Sequence, residues 1–181
     1  WNIPEGAPVI ASVGRVDKQK DPMMLLDAAA IVLREIKDAV LVFAGHGPLL
    51  QKCQARAEEL GIAASIRWIG WIPDVRPLLA RMDVLALASR WEGMPNVALE
   101  AMACRKAVVA TRVGGTPEVV VHDQTGLLVP PRDPEAMAAA LLDVLRNSTR
   151  RTEMGRKGRA RVQQEFTVSR MVDRNQCLYE D

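Results

Sequence analysis

The sequence predicts an α/β protein in which an open parallel sheet of about six strands carries helices on both faces and is followed by a helical C-terminal tail. Short apolar runs of β-type residues alternate with longer segments of helical periodicity, which is typical of a sheet covered on both sides. The runs are almost uniformly apolar, as expected of strands buried on both faces. The 181 residues correspond to about one domain.

The predicted elements alternate regularly as far as two consecutive prolines, Pro130 and Pro131. The predicted strands span residues 9–13, 40–44, 66–69, 84–88, 107–111 and 126–129. The predicted helices between them span residues 22–36, 48–60, 75–82 and 97–103. Beyond the prolines the strands stop, and helices are predicted over 134–147, 149–165 and 169–179. We therefore expect one domain over residues 1–181, with a helical tail from 149 to 181.

Composition disfavours several classes of protein. The formal charge is +2, and no apolar run approaches the roughly 18 residues that a membrane span requires. Aromatic residues make up 4%, which disfavours nucleic-acid binding by stacking of bases on aromatic rings. Three distant cysteines, Cys53, Cys104 and Cys177, indicate free thiols in a reducing compartment. Because the chain begins with Trp1, we expect it to be a piece of a longer protein.

The loop after the first predicted strand combines a glycine turn with cations, in the sequence Gly14-Arg15-Val16-Asp17-Lys18-Gln19-Lys20. In an open parallel sheet, ligands bind beyond the carboxyl ends of the strands. A glycine lets the backbone approach a ligand closely, and an arginine with a lysine can neutralise a diphosphate without a metal. Taken alone, the loop is equally consistent with a solvated basic loop.

The loop after the fourth predicted strand supplies carboxylates and a predicted helix start. Asn96 is expected to cap a helix whose free N–H groups form an anion site. Glu92 precedes this helix and Glu100 lies one turn into it. A carboxylate can accept from two neighbouring sugar hydroxyls. Alternatively, Glu92 is solvated and Glu100 only favours the positive end of the helix.

Other kinds of site fit the sequence less well. Two glutamates also occur in glycosidases, but such an enzyme has no use for Arg15 and Lys20. The nearest match to a dinucleotide fingerprint begins at Gly45 and has Leu50 where the third glycine is required. No phosphate-binding GxxxxGK[ST] sequence occurs, and no metal site is expected. His46 is kept only as a residue that could line the cleft.

A basic stretch lies near the C-terminus, defined here as residues 146–161. It contains seven cations and one acid, Glu153, for a local net charge of +6. The simpler interpretation is a solvated helix face. The functional alternative is attraction to an anionic membrane surface, where each cation contributes about 1 kcal/mol.

Several motifs together resemble a known family. They are Gly14-Arg15 with Lys20, Gly45-His46-Gly47-Pro48, Gly70-Trp71-Ile72-Pro73-Asp74, Ser89-Arg90-Trp91-Glu92-Gly93-Met94-Pro95-Asn96 running on to Glu100, and Val108-Val109-Ala110-Thr111. In order and spacing they resemble the C-terminal, donor-binding half of retaining GT-B glycosyltransferases of family 4, whose fold is Rossmann-like. The two glutamates separated by seven residues and the upstream glycine-arginine-lysine pattern are the more specific part of the resemblance.

The resemblance implies a role for each matching residue. Arg15 and Lys20 would hold the donor diphosphate, Glu100 the ribose hydroxyls and Glu92 the transferred sugar, as the catalytic residue. The loop at Ile72 would meet the base. The remaining expected donor-binding positions are Gly14, Gly45, Gly47, Gly93, Met94, Asn96 and Val97.

The resemblance also implies that an N-terminal half with the acceptor site is missing from this chain. The domain would then bind a nucleotide sugar, such as a UDP- or GDP-sugar, and would be inactive alone as a hexosyltransferase. We expect a cytoplasmic protein, at the inner face of the membrane if the basic stretch contacts lipid, with no cofactor and no nucleic-acid partner. Two alternatives stay open, a GT-B nucleotide-sugar epimerase and a non-catalytic α/β interaction module.

Overall fold

Six parallel strands form a single sheet in the computed structural model, which describes residues 1–167, 169, 170 and 172. The strands are β1 Val9–Val13, β2 Val40–Ala44, β3 Ile66–Gly70, β4 Val84–Leu87, β5 Ala107–Thr111 and β6 Gly126–Val129. Their order across the sheet is β3-β2-β1-β4-β5-β6, and every neighbouring pair is parallel. The predicted fold class is confirmed, with each strand within one residue of its expected bounds.

Seven helices surround the sheet in the described residues. They are α1 Pro22–Glu35, α2 Leu50–Glu59, α3 Arg76–Arg81, α4 Asn96–Ala103, α5 Thr116–Val119, α6 Pro134–Arg146 and α7 Ser148–Glu165. The short α5 and a 3₁₀ turn at Ala63–Ser65 were not predicted. The predicted helix 169–179 lies largely outside the described residues.

One predicted boundary is wrong for a reason that matters to the site. Helix α2 begins at Leu50 and not at Pro48, because the backbone N–H of Leu49 donates to the carbonyl of Val16 at 3.0 Å. The residues before α2 therefore form a turn that is bound to the loop after β1.

Alternate residues of each strand enter two separate apolar clusters. On one face, residues such as Ile10, Leu41 and Val109 pack with α1, α2 and α6. On the other face, residues such as Val9 and Val42 pack with α3 and α4, and the C-terminal half of α7 lies against them. Both faces of the sheet are thus covered, which accounts for the uniformly apolar strands.

The order of the strands reverses between β1 and β4. The chain builds outward from β1 through β2 to β3, then returns and builds outward from β4 through β5 to β6. The loops that follow the carboxyl ends of β1 and β4 therefore lead in opposite directions. Open α/β sheets bind ligands at this point.

The cations of the basic stretch are largely bound within the fold. The Arg151 guanidinium donates to the carbonyls of Val144 and Leu145 at 3.1 and 2.9 Å, at the C-terminal end of α6. The remaining partners of the stretch include Asp123 and Asp143 for Arg150, Glu35 for Arg146, Glu153 for Arg156 and Lys157, and two carbonyls, those of Glu118 and Val119, for Arg161. These contacts give most of the cations partners within the chain, and the membrane interpretation stays a prediction. None of the helices in the described part of the chain is long and apolar enough to cross a bilayer.

Candidate functional site

The loops at the carboxyl edge of the sheet are joined by backbone hydrogen bonds. The N–H of Gly14 donates to the carbonyl of Ala44 at 2.9 Å, and the N–H of Val16 donates to that of His46 at 2.9 Å. The N–H of Gly45 donates to the carbonyl of Gly70 at 2.7 Å. The loops after β1, β2 and β3 thus form one continuous floor.

Two glycines allow this close approach. A Cβ at Gly45 would lie 1.9 Å from the carbonyl oxygen of Gly14, and one at Gly47 would lie 2.2 Å from that of Val16. Only a residue without a side chain fits at either position. Both glycines therefore have a structural reason to be present, which does not depend on a ligand.

A buried ion pair joins the loops after β1 and β4. The Lys20 ammonium contacts Oε1 of Glu92, and the Ser89 hydroxyl donates to the same oxygen at 2.6 Å. The Glu92 side chain is only 5% exposed and that of Lys20 21% exposed. A carboxylate removed from water in this way needs such partners.

A second ion pair lies directly beside the first. The Arg90 guanidinium donates through Nε and Nη2 to the two oxygens of Asp21, at 2.7 and 3.1 Å. Hydrogen bonding to Asp21 raises the pKa of Arg90. The Arg90 N–H also donates to the carbonyl of Gln19 at 2.7 Å, and the Gln19 amide donates to the carbonyl of Trp91 at 3.2 Å. Side chains and backbone together fix the two loops to each other.

The loop after β5 supports the loop after β4 from its other side. The N–H of Gly115 donates to the carbonyl of Glu92 at 3.2 Å. A Cβ at Gly114 would lie 1.8 Å from the Glu92 carbonyl oxygen, and one at Gly115 would lie 2.0 Å from that of Gly93. The backbone of Glu92 is thus held by glycine contacts, while its side chain is held by Lys20 and Ser89.

A cleft of about 540 Å³ opens beside these loops. Arg15 and His46 contribute polar groups, and most of the remaining lining is apolar side chain or glycine backbone. The lining residues are Val13, Gly14, Arg15, Ala44, Gly45, His46, Trp71, Ile72 and Val75. A much smaller pocket of about 10 Å³ lies next to it, between the ends of β1 and β4 and against Lys20. An apolar cleft that leads to a lysine and an exposed arginine suits a ligand with a flat apolar part and an anionic part.

Comparison with known proteins identifies the family. Residues 1–161 match the family described as glycosyl transferases group 1. The chain belongs to this family.

Two of the curated relatives that this chain matches are glycosyltransferases by name. This chain is 37% identical over 183 residues to a D-inositol 3-phosphate glycosyltransferase of Corynebacterium urealyticum, and the match covers 94% of this chain and 43% of that protein. It is 35% identical over 161 residues to a GDP-mannose-dependent alpha-(1-6)-phosphatidylinositol monomannoside mannosyltransferase of Mycolicibacterium smegmatis, covering 84% of this chain and 42% of that protein. The chain therefore spans less than half the length of these relatives.

A solved structure resembles the group 1 domain over almost its whole length. This is the C-terminal domain of a glycosyl transferase group 1 family protein, LpcC, from Francisella tularensis, at 29% identity and a TM-score of 0.82. The match covers 89% of this chain and 87% of the solved one.

The group 1 domain brings some of the predicted donor residues together. Gly14, Arg15, Gly45 and Ile72 line the cleft, and Lys20 lines the small pocket and contacts Glu92. Arg15 is 71% exposed and is held by Asp17 at 3.1 Å and by Gln19 at 2.9 Å. Because most of the Arg15 side chain is exposed, its guanidinium can contact a ligand at the rim of the cleft.

Other predicted residues of the group 1 domain lie on α4 and the turn before it. Gly93, Met94, Asn96 and Glu100 are exposed, and Val97 packs partly against the apolar cluster. Gly47 lies against Val16 and outside the lining of either cavity. The roles proposed for these residues stay predictions.

The expectation that Asn96 caps α4 is wrong. Pro95 occupies the capping position, Asn96 is the first helical residue, and no side chain caps the helix. The N–H of Asn96 donates to the carbonyl of Met94 at 3.0 Å, and that of Ala98 to the carbonyl of Pro95 at 2.8 Å. These two N–H groups are therefore already used within the turn.

Sequence reasoning missed the residues that hold the site together. Asp21 and Gly114 act through partners in other loops, and Ser89 acts through Glu92 in its own loop. Asp21 stands directly before a proline at the start of a helix, where sequence predicts an ordinary cap. No group of His, Cys, Asp and Glu able to hold a metal ion occurs in the described residues.

Proposed function

We propose that this chain is the donor-binding domain of a retaining glycosyltransferase of family 4 with a GT-B fold, and that it binds a nucleotide-diphosphate sugar. The observation that carries the proposal is the Lys20–Glu92 pair at the switch point of the sheet. A cation and a carboxylate meet there beside a cleft with apolar walls. A sugar diphosphate needs both groups, a cation for the phosphates and an acceptor for the sugar hydroxyls.

The donor would lie along the edge of the sheet. The base would enter the cleft at Ile72, the diphosphate would lie against Lys20 and Arg15, and the transferred sugar would reach Glu92. The ribose would turn toward Glu100 on α4. The relative from Mycolicibacterium smegmatis is named as a GDP-mannose-dependent mannosyltransferase, which supports a nucleotide sugar as the donor.

The two cations would assist the departure of the nucleotide. When the bond between the anomeric carbon and the diphosphate oxygen breaks, its electron pair stays on that oxygen. The sugar passes to an acceptor hydroxyl, whose proton is taken up by the departing diphosphate. Lys20 and Arg15 would stabilise the developing charge on the diphosphate without a metal ion. For this step Lys20 must exchange part of its contact with Glu92 for the phosphate.

The acceptor site would lie outside this chain. The chain spans less than half of its curated relatives, and its solved counterpart is named as a C-terminal domain. We infer that an N-terminal domain of the same protein supplies the acceptor and that this domain alone transfers no hexose. A cytoplasmic location would give the domain access to nucleotide sugars.

Calorimetric titration of the chain with UDP, GDP and ADP tests the proposal. At least one of the three is expected to bind at one site per chain. Lys20→Ala is expected to weaken that binding by roughly 10- to 100-fold, the effect of losing one charge-assisted hydrogen bond.

Lys18→Ala is the matched control for this experiment. Lys18 carries the same charge in the same loop but is exposed and lines neither cavity. Its removal should leave the affinity within about twofold, because exposed charges contribute little. If no nucleotide binds, or if the two lysine variants lose equal affinity, the proposal is wrong and a non-catalytic module becomes the better interpretation.

A further inference from the structure

Asp21 breaks a local rule of helix structure. It stands at the capping position of α1, where an aspartate ordinarily accepts a hydrogen bond from the first turn. Its side chain makes no such bond, and its backbone is left-handed, with φ 43° and ψ 56°. A left-handed backbone is uncommon for residues other than glycine, although aspartate and asparagine tolerate it, and the missing capping bond leaves the first turn without its usual acceptor.

The partner that accounts for this conformation lies on another loop. Both carboxylate oxygens of Asp21 accept from Arg90, and the Asp21 side chain is only 5% exposed. A two-point contact between guanidinium and carboxylate fixes direction as well as distance. The conformation of Asp21 is therefore set by the loop after β4.

Each member of this pair is a close sequence neighbour of a member of the proposed donor site. Asp21 directly follows Lys20, and Arg90 lies two residues before Glu92. The contacts between Gln19 and the backbone at Arg90 and Trp91 run alongside. A shift of Asp21 relative to Arg90 would therefore change the separation of Lys20 and Glu92.

We propose that Asp21 and Arg90 are positioning residues that hold the Lys20 ammonium where the donor diphosphate binds. The pair touches neither phosphate nor sugar and acts through the two loops that it joins. This inference rests on the proposed function, because it assigns the pair a role in donor binding.

Helix α1, which begins after Asp21, also takes part in a second ion pair, and that pair serves as a control. Arg56 on α2 donates through Nε and Nη2 to one oxygen of Asp27 on α1, at 3.0 and 2.8 Å. This pair joins two helices, and the hydrogen bonds of Arg56 involve neither the loop after β1 nor the loop after β4. Loss of this pair should change stability alone.

Nucleoside-diphosphate affinity is to be measured for Asp21→Asn and Arg90→Gln, well below the melting temperature of each variant. Asparagine tolerates the left-handed conformation, so Asp21→Asn removes the charge with little added strain. Both variants are expected to bind about tenfold more weakly than the wild type, through loss of a charge-assisted contact that orders the site. Arg56→Gln should bind like the wild type.

Combination with Lys20→Ala separates positioning from stability. If Arg90 acts through Lys20, Arg90→Gln should lower the affinity no further, within about twofold, when Lys20 is already alanine. If the two residues contributed independently, the fold losses in affinity of the two single variants would multiply in the double variant. A full tenfold further loss in the Lys20→Ala background would overturn the positioning role.

The remaining outcomes are also decisive. If the wild type binds a nucleotide and Lys20→Ala weakens it, but Asp21→Asn and Arg90→Gln do not, this inference fails and the proposed function stands. If the wild type binds none of the three nucleotides, both fail. If Arg90→Gln does not fold, Asp21→Asn decides, and failure of both to fold assigns the pair to the fold and overturns the inference.

Discussion

Two regions of the molecule are rich in cations, and they use them differently. In the site loops, residues 14–21 and 88–95, Lys20 and Arg90 pair with carboxylates that are almost fully buried, and Arg15 is exposed at the rim of a cleft. In the basic stretch, arginines bind carbonyls at a helix end or surface carboxylates. The basic stretch has more charge, yet it is the site loops that lie at the switch point of the sheet, where open α/β sheets bind ligands.

The difference shows that the number of cations says little about where an anion binds. What matters is whether the partner of a cation can be exchanged for a ligand. Glu92 is a single side chain whose contact with Lys20 a phosphate can replace. The carbonyls at the end of α6 belong to the helix, and leaving them without a donor is unfavourable.

The largest expected effect distinguishes two glycines that each lie against a carbonyl. Gly114→Ala places a Cβ 1.8 Å from the Glu92 carbonyl at a φ of 47°, and Gly155→Ala places one 2.0 Å from the Arg105 carbonyl. Each is expected to destabilise the fold by about 1–3 kcal/mol or more, because a packed backbone must move. Denaturant unfolding and calorimetry together check this expectation.

Only Gly114→Ala should also lose nucleotide binding, because only it displaces the backbone of the loop after β4, which is joined to the loop that carries Lys20. Gly61→Ala is the control for backbone conformation, since Gly61 has a φ of 70° with nothing within 4 Å of its missing Cβ. It should cost about 1 kcal/mol and leave binding intact. Retained affinity in Gly114→Ala would show that the contact between the β5 and β4 loops does not shape the site.

The next substitution is expected to strengthen nucleotide binding and not to weaken it. Glu92→Gln removes the carboxylate that competes with phosphate for Lys20, so we expect a bare nucleoside diphosphate to bind about tenfold more tightly. Transfer by the intact enzyme should nevertheless fall by about 100-fold or more, since the sugar loses its acceptor. Unchanged affinity in calorimetry would mean that the Lys20–Glu92 contact does not oppose binding.

A smaller effect is expected in the basic stretch. Arg151→Gln removes donors to the carbonyls of Val144 and Leu145 and the ion pair with Asp83. It should lower the free energy of unfolding by about 1–2 kcal/mol and leave nucleotide affinity as it is. A loss of affinity at unchanged stability would place an anion-binding function in this region.

The smallest effect tests contact with a membrane. Lys157→Gln with Arg159→Gln removes two cations from α7, one of which is bound only by a surface contact with Glu153 at 3.7 Å. Cosedimentation with vesicles rich in phosphatidylserine should change little, because the stretch is mostly occupied by internal partners. A loss of strong vesicle binding would restore the membrane interpretation, at about 1 kcal/mol for each cation.

The sheet was predictable because strands buried on both faces leave a continuous apolar signal with glycines at their ends. The location of Lys20, Arg15 and Glu92 at one edge of the sheet was predictable for a similar reason, since residues that follow parallel strands meet there. Their roles in binding stay predictions. The contact of Lys20 with Glu92 depends on the strand order, which places β1 beside β4. A local sequence pattern does not reveal the order of the strands in the sheet, because that order depends on how distant segments pair.

The capping position of α4 and the proposed role of Asp21 could not be predicted from the sequence, for one shared reason. Both residue types are strong local caps, so the sequence assigns each of them a capping bond that its side chain does not make. Asn96 follows a proline whose carbonyl closes the turn with Ala98, so Pro95 takes the capping position and the helix begins at Asn96, one residue earlier than expected. Asp21 is turned toward Arg90, 69 residues away in the sequence.

The most direct test of the account is a map of amide chemical shifts in the ¹⁵N-labelled chain as UDP, GDP or ADP is added. Both cation-rich regions report in the same spectrum. We predict that shifts concentrate at Gly14, Lys20, Ile72 and Glu92, with no comparable change between residues 146 and 161. Shifts centred on the basic stretch, or no shifts with any of the three nucleotides, would contradict it.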